Sequence, residues 1–127
     1  MIRKIVINLL FIVLFGFRFY LAFHAKHGDM YNNISWGRMA YRLESLAVYY
    51  ELPKEVWSHS RPNQPPGSIL LHLASENIFN SISQMIKWSN DKIQTFPSKL
   101  VWFWQDHGEL ISIKIFSILA DFALAFL

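Results

Sequence analysis

Residues 5–23 read Ile-Val-Ile-Asn-Leu-Leu-Phe-Ile-Val-Leu-Phe-Gly-Phe-Arg-Phe-Tyr-Leu-Ala-Phe. At about 1.5 Å per residue, a helix of this length measures roughly 28 Å, close to the ~30 Å hydrocarbon core of a bilayer. Arg3 and Lys4 precede the run, as they would in a signal peptide. A signal peptide, however, carries a shorter apolar stretch that ends in small residues, and here His-Ala-Lys-His follows Phe23. The segment therefore reads as an uncleaved membrane anchor. Arg18, near one end, can snorkel to the interface, and Tyr20 suits the same level.

Composition agrees with a membrane protein. Of 127 residues, 53% are hydrophobic and 17% aromatic, with 11 Phe and 5 Trp, which is too apolar for an ordinary soluble domain. The formal charge of +3 is a mild excess that an anionic membrane surface accounts for, so nucleic acid is not indicated as a partner. With no cysteine, disulfide frameworks, zinc ribbons and thiol catalysis are excluded.

Beyond the anchor, residues 24–67 form a loop. Within it Ile34, Trp36, Met39, Ala40, Leu43, Leu46, Ala47 and Tyr50 recur at helical spacing, with Arg38, Arg42 and Glu44 between them. This predicts an amphipathic helix lying in the membrane interface, or else a surface helix of a soluble unit. Pro53, Pro62, Pro65, Pro66 and Gly67 then predict irregular or extended chain over 52–67. Residues 68–87 make a weak second span, since His72, Glu76, Asn77 and Asn80 require protein neighbours. Residues 88–109, with Val-Trp-Phe-Trp at 101–104, read as an interfacial segment. Residues 110–127 are again mostly apolar, interrupted by Lys114 and Asp121, and no polar flank follows, so a longer polytopic protein is expected. Arg3 and Lys4 favour a cytoplasmic start with the first loop outside, although Lys26, Arg38, Arg42, Lys54 and Arg61 make that loop basic as well.

Four places can carry chemistry. Asp29, with His27 before it, stands just past the outer end of the anchor; it reads first as a turn aspartate or the N-cap of a helix beginning near Tyr31 or Asn32, and its carboxylate also suits a general base or metal ligand. Asn63-Gln64-Pro65-Pro66-Gly67-Ser68 starts a helix, and also holds Gln64 and Arg61 where an amide and a guanidinium can meet a phosphate. Asp121 and Lys114, seven residues apart, share a helix face, and Asp121 in an apolar segment needs a protein, water or ligand partner. His72 and Glu76 form an i, i+4 pair that is more simply a hydrogen-bonded helix face than a metal site.

Taken in order, these features resemble the beginning of the class C (GT-C) integral-membrane glycosyltransferases. The residues that carry the resemblance are His27-Gly28-Asp29-Met30-Tyr31, Gln64-Pro65-Pro66-Gly67-Ser68 and Ile113-Lys114-Ile115-Phe116-Ser117-Ile118-Leu119-Ala120-Asp121. The resemblance implies an all-α polytopic bundle with interfacial helices in the first external loop. It implies transfer of a sugar from a polyprenyl-phosphate donor to an acceptor hydroxyl at the external or lumenal membrane face. In that reading Asp29 is the general base, Arg61, Gln64, Arg38 and His27 contact substrate, and the partners are the bilayer and the lipid-linked sugar. No cofactor is implied, and a lone carboxylate makes a poor divalent-metal site. The location is a bacterial plasma membrane or an endoplasmic-reticulum type membrane. The competing readings are a small non-enzymatic membrane scaffold, in which Asp29 is a cap, and a polytopic transporter coupled through Asp121 and Glu76.

Overall fold

A computed structural model describes residues 2–24, 27–43, 52 and 60–125, and all regular structure among them is helical. In chain order the helices are α1 (Ile2–His24), α2 (Gly28–Leu43), α3 (Pro66–Lys92) and α4 (Ser98–Ala125). Leu46, Ala47 and Tyr50 of the expected amphipathic stripe lie outside the described residues, as does most of 44–59.

Among the described residues one helix is long and apolar enough to cross a membrane. It is α1, over Lys4–Ala22, with a mean hydropathy of 2.2. Protein covers almost none of it, and Ile12 and Val13 are each 67% exposed. Apolar surface of this extent is what lipid, rather than water, accommodates.

α4 runs antiparallel to the second half of α1. Phe15 meets Phe122 with ring centroids 4.6 Å apart, Arg18 Nη2 lies 2.6 Å from Asp121 Oδ2, and Lys114 Nζ donates to the Ala22 carbonyl at 2.8 Å. Contact positions rise along α1 as they fall along α4. Arg18 thus reaches across to a carboxylate instead of snorkelling, and the two charges lodged in apolar stretches compensate each other.

α2, α3 and the first half of α4 form a separate packing unit. Trp36, Ala40 and Ile69 make its buried centre, with Met39, Leu43, Leu52 and Leu73 around them. The described part of the apolar stripe of α2 therefore packs on α3. Gly37 permits the close approach, since a Cβ there would stand 2.6 Å from the His72 carbonyl oxygen. Pro66 occupies the first turn of α3, where a missing N–H costs no helical bond, so the Pro-Pro pair starts the helix as expected. Between α3 and α4, Trp104 stacks on Phe79 at 5.9 Å and donates its indole N–H to Ser83 Oγ at 2.9 Å.

Two sequence boundaries differ. The weak span expected over 68–87 is part of α3, which continues to Lys92; α3 packs on α2 and α4 and lies outside the one stretch with spanning character. The division between 88–109 and 110–127 is absent, because α4 runs unbroken through Glu109 and Leu110. Gly108 makes room for aromatic rings within α4: a Cβ there would lie 2.7 Å from Trp104 and 2.9 Å from Phe79.

Candidate functional site

Asp29, Asn32, Asn33 and Trp36 fall at i, i+3, i+4 and i+7, so α2 projects them from one face. Residues 60–64 fold back over that face. Ser60 donates its backbone N–H to Asn32 Oδ1 at 3.1 Å, and its carbonyl accepts the Trp36 indole N–H at 2.7 Å. Gln64 Nε2 donates to Asn33 Oδ1 at 3.4 Å. Between the two segments lies a cleft of about 260 Å³ lined by Asp29, Asn32, Asn33, Trp36, Ser60, Asn63 and Gln64. Its wall offers one carboxylate among several carboxamides, a combination that accepts and donates hydrogen bonds to a hydroxyl-rich ligand.

Asp29 is in the first turn of α2, where its charge complements the helix dipole. It is not the N-cap expected near Tyr31 or Asn32. The helix begins earlier, and His27 does the capping: its Nδ1 accepts the Asp29 N–H at 3.3 Å, and its carbonyl accepts the Met30 N–H at 3.0 Å. The same Nδ1 lies 3.3 Å from Asp29 Oδ2. One ring nitrogen serves only one of these at a time, accepting from the amide when unprotonated and donating to the carboxylate when protonated. The Asp29 side chain is 76% exposed, so its carboxylate is open to an incoming hydroxyl.

His27 also faces a second cavity of about 280 Å³, bounded by α1 and α4 and lined by Arg18, Lys114, Met30 and Ser117 among others. Arg18 and Lys114 thus border a cavity at the C-terminal end of the apolar stretch of α1, and His27, which contacts Asp29, lines it as well.

The remaining sequence candidates lie elsewhere. Arg38 points to α4, where its Nε donates to Glu109 Oε1 at 2.9 Å and its Nη2 to the same oxygen. That bond raises the already high pKa of the guanidinium further. Arg61 is exposed and does not line the cleft. The expected convergence therefore includes Gln64 with Asp29 and leaves out Arg61 and Arg38. His72 and Glu76 do not act as a pair: His72 Nε2 is 3.0 Å from Gln64 Oε1, and Glu76 Oε1 accepts from Asn80 Nδ2 at 3.1 Å. Burial lowers the His72 pKa and raises that of Glu76, holding each toward its neutral form. No group of three or more His, Asp or Glu that could hold a metal occurs among the described residues.

Asn32, Asn33 and Ser60 were not among the expected site residues, and Asn63 was read only as the start of the run that leads into Pro65. The helical spacing from Asp29 was the available signal for the first two; Ser60 and Asn63 join the cleft only through the fold-back. No protein-family model, curated protein or solved structure was found to match the chain.

Proposed function

We propose that the chain forms the beginning of a GT-C-type membrane glycosyltransferase, which moves a sugar from a polyprenyl-phosphate donor to an acceptor hydroxyl with Asp29 as general base. The observation that carries this reading is that Asp29 and Gln64, one from each of two separate sequence motifs, line the same cleft just past the end of the apolar helix. A lipid-linked donor presents its scissile bond at the headgroup level, which is where an external loop anchored by α1 would meet it. The antiparallel pairing of α4 with α1 is consistent with a multi-pass bundle; the first loop is taken as external or lumenal from the Arg3 and Lys4 charges before α1.

In the reaction, Asp29 Oδ takes the proton of the acceptor hydroxyl as its oxygen attacks the anomeric carbon. The bond from that carbon to the phosphate oxygen breaks in the same displacement, and polyprenyl phosphate leaves with the electron pair. Positive charge near the leaving oxygen lowers the barrier. Arg18 and Lys114 fit this role better than Arg61 or Arg38, because they border the cavity that adjoins Asp29 through His27. The carboxamides of Asn33 and Gln64 would hold sugar hydroxyls.

The test is turnover of defined donors. The intact protein in lipid vesicles is given polyprenyl-phosphate-linked hexoses and pentoses together with membrane extract as acceptor source. Release of polyprenyl phosphate from at least one donor is expected. Absence of release from every donor overturns the proposal.

A further inference from the structure

We propose that α2, α3 and α4 hold one water molecule as a bound ligand, in a cavity lined by the Ser112 hydroxyl and the carboxyl groups of Glu76 and Glu109. The site shares no lining residue with the carboxamide cleft, and it stands whether or not the chain transfers sugar.

His72, Ser75, Glu76 and Phe79 fall at i, i+3, i+4 and i+7 on α3, and Glu109, Ser112 and Ile113 at i, i+3 and i+4 on α4, so one face of each helix supplies the lining. Two glycines draw neighbours onto the ends of the α3 stripe. Gly37 brings α2 against the His72 backbone, and Gly108 lies so near the Phe79 ring that a Cβ there would stand 2.9 Å from it. The stretch between these contacts borders a cavity of about 10 Å³, which Ile34 of α2 also lines. That volume suits a single water.

Ser112 gives the cavity its chemistry. A serine inside a helix can donate to the carbonyl four residues before it, as Ser75 does to Leu71 at 2.8 Å and Ser83 to Phe79 at 2.7 Å. Ser112 does not: it is 1% exposed, and its Oγ has no hydrogen-bonding partner among the described residues. A buried hydroxyl without a partner costs stability, and a polar cavity of this size takes up water for that reason. The two carboxyl groups complete the set. Asn80 bonds Glu76 Oε1 and Arg38 bonds Glu109 Oε1, which among the described residues leaves the second oxygen of each for a further bond. Burial favours neutral Glu76, which brings a proton to donate, while Glu109 opposite Arg38 brings an acceptor. The water accepts from Ser112 or Glu76 and donates to Glu109, linking α3 to the ion pair that joins α2 to α4.

The experiment has two arms on the intact protein. In the first, the protein is crystallised from a lipid mesophase and its structure determined at a resolution that shows ordered waters. One peak within about 2.5–3.0 Å of Ser112 Oγ and of an oxygen of Glu76 or Glu109 is expected. The absence of such a peak, with Ser112 Oγ bonded to the Gly108 carbonyl, overturns the proposal. So does a peak ringed by about six oxygens at about 2.3–2.6 Å, the geometry of a bound cation. In the second arm, Ser112→Ala is melted beside Ser117→Ala, an exposed serine of the same helix, so that the helix preference of alanine cancels. Loss of the bond to the water should lower the Tm of Ser112→Ala by about 2–6 °C relative to Ser117→Ala. Removal of an unpartnered hydroxyl gives the opposite sign, so a Tm equal to or above that of Ser117→Ala would overturn the role of Ser112.

Discussion

Gly37 lies against the backbone of His72 so closely that a Cβ at position 37 would stand 2.6 Å from the His72 carbonyl oxygen. The obstacle is main chain on both sides, so no rotamer change relieves it. Gly37→Ala should push α2 from α3 and cost about 1–3 kcal/mol, the usual range for overpacking. Because the same contact sets the reach of His72 to Gln64, the variant should also weaken donor binding. A thermal melt with a parallel KM measurement checks both; unchanged stability would contradict the close packing.

Arg18 and Asp121 compensate each other within apolar stretches of α1 and α4. Asp121→Ala leaves the Arg18 guanidinium beside Lys114 without its carboxylate partner at the end of an apolar stretch. That variant should reduce the amount of inserted protein, and so should Arg18→Ala. The double replacement Arg18→Leu, Asp121→Leu should recover insertion. Protease protection of membrane fractions distinguishes the outcomes, and a double variant no better than either single one would argue against the pairing.

The Arg38–Glu109 ion pair joins α2 to α4, away from the cleft. With the Arg38 side chain 49% exposed and that of Glu109 25% exposed, Glu109→Ala should cost no more than about 1 kcal/mol. Arg38→Gln should lower stability by a similar amount while leaving KM unchanged. A selective rise in KM would restore Arg38 as a substrate contact.

Glu76 is held toward its neutral form, chiefly by burial and then by the charge of Glu109, against the favourable bond from Asn80 and the charges of Arg38 and Arg42. Its pKa is higher in the folded chain than in the unfolded one. Its contribution to stability is therefore fully present below the unfolded value near 4.5 and lost as pH rises through the raised folded value. Glu76→Gln keeps an acceptor for Asn80 and removes the charge. The variant should melt about 1–3 °C higher at pH 8, a few tenths of a kcal/mol for a carboxylate still partly screened by solvent. The advantage should shrink toward pH 4.5. A difference that does not change with pH would place the effect in packing instead of charge.

α1 was legible because a span depends on length and hydropathy, both local properties of residues 5–23. The start of α3 was legible because proline at the first helical position fixes φ and gives up an N–H that the helix does not use. Lys114 and Asp121 were readable as one face, and both do turn to α1. The packing of α2 on α3 was not readable: the stripe of Ile34, Trp36 and Ala40 suits lipid or protein, and the close approach of Gly37 to His72 has no local signature. Asp29 and Gln64 were separately visible as an acid past a span and an amide before two prolines. Their meeting depends on Ser60 bonding back to Asn32 and Trp36, a tertiary contact with no local signature.

The central claim is that Asp29 removes the proton of the acceptor hydroxyl. Its most direct test is the rate of polyprenyl-phosphate release by Asp29→Asn in the intact protein, beside wild type at equal inserted amounts. Asparagine keeps the size of the side chain and its place in the cleft but cannot take the proton. A fall in kcat of about 10²–10⁴-fold with donor binding retained is the expected result, the range for loss of a general base. Transfer at the wild-type rate by Asp29→Asn would contradict the account and leave Asp29 as a helix-terminal charge.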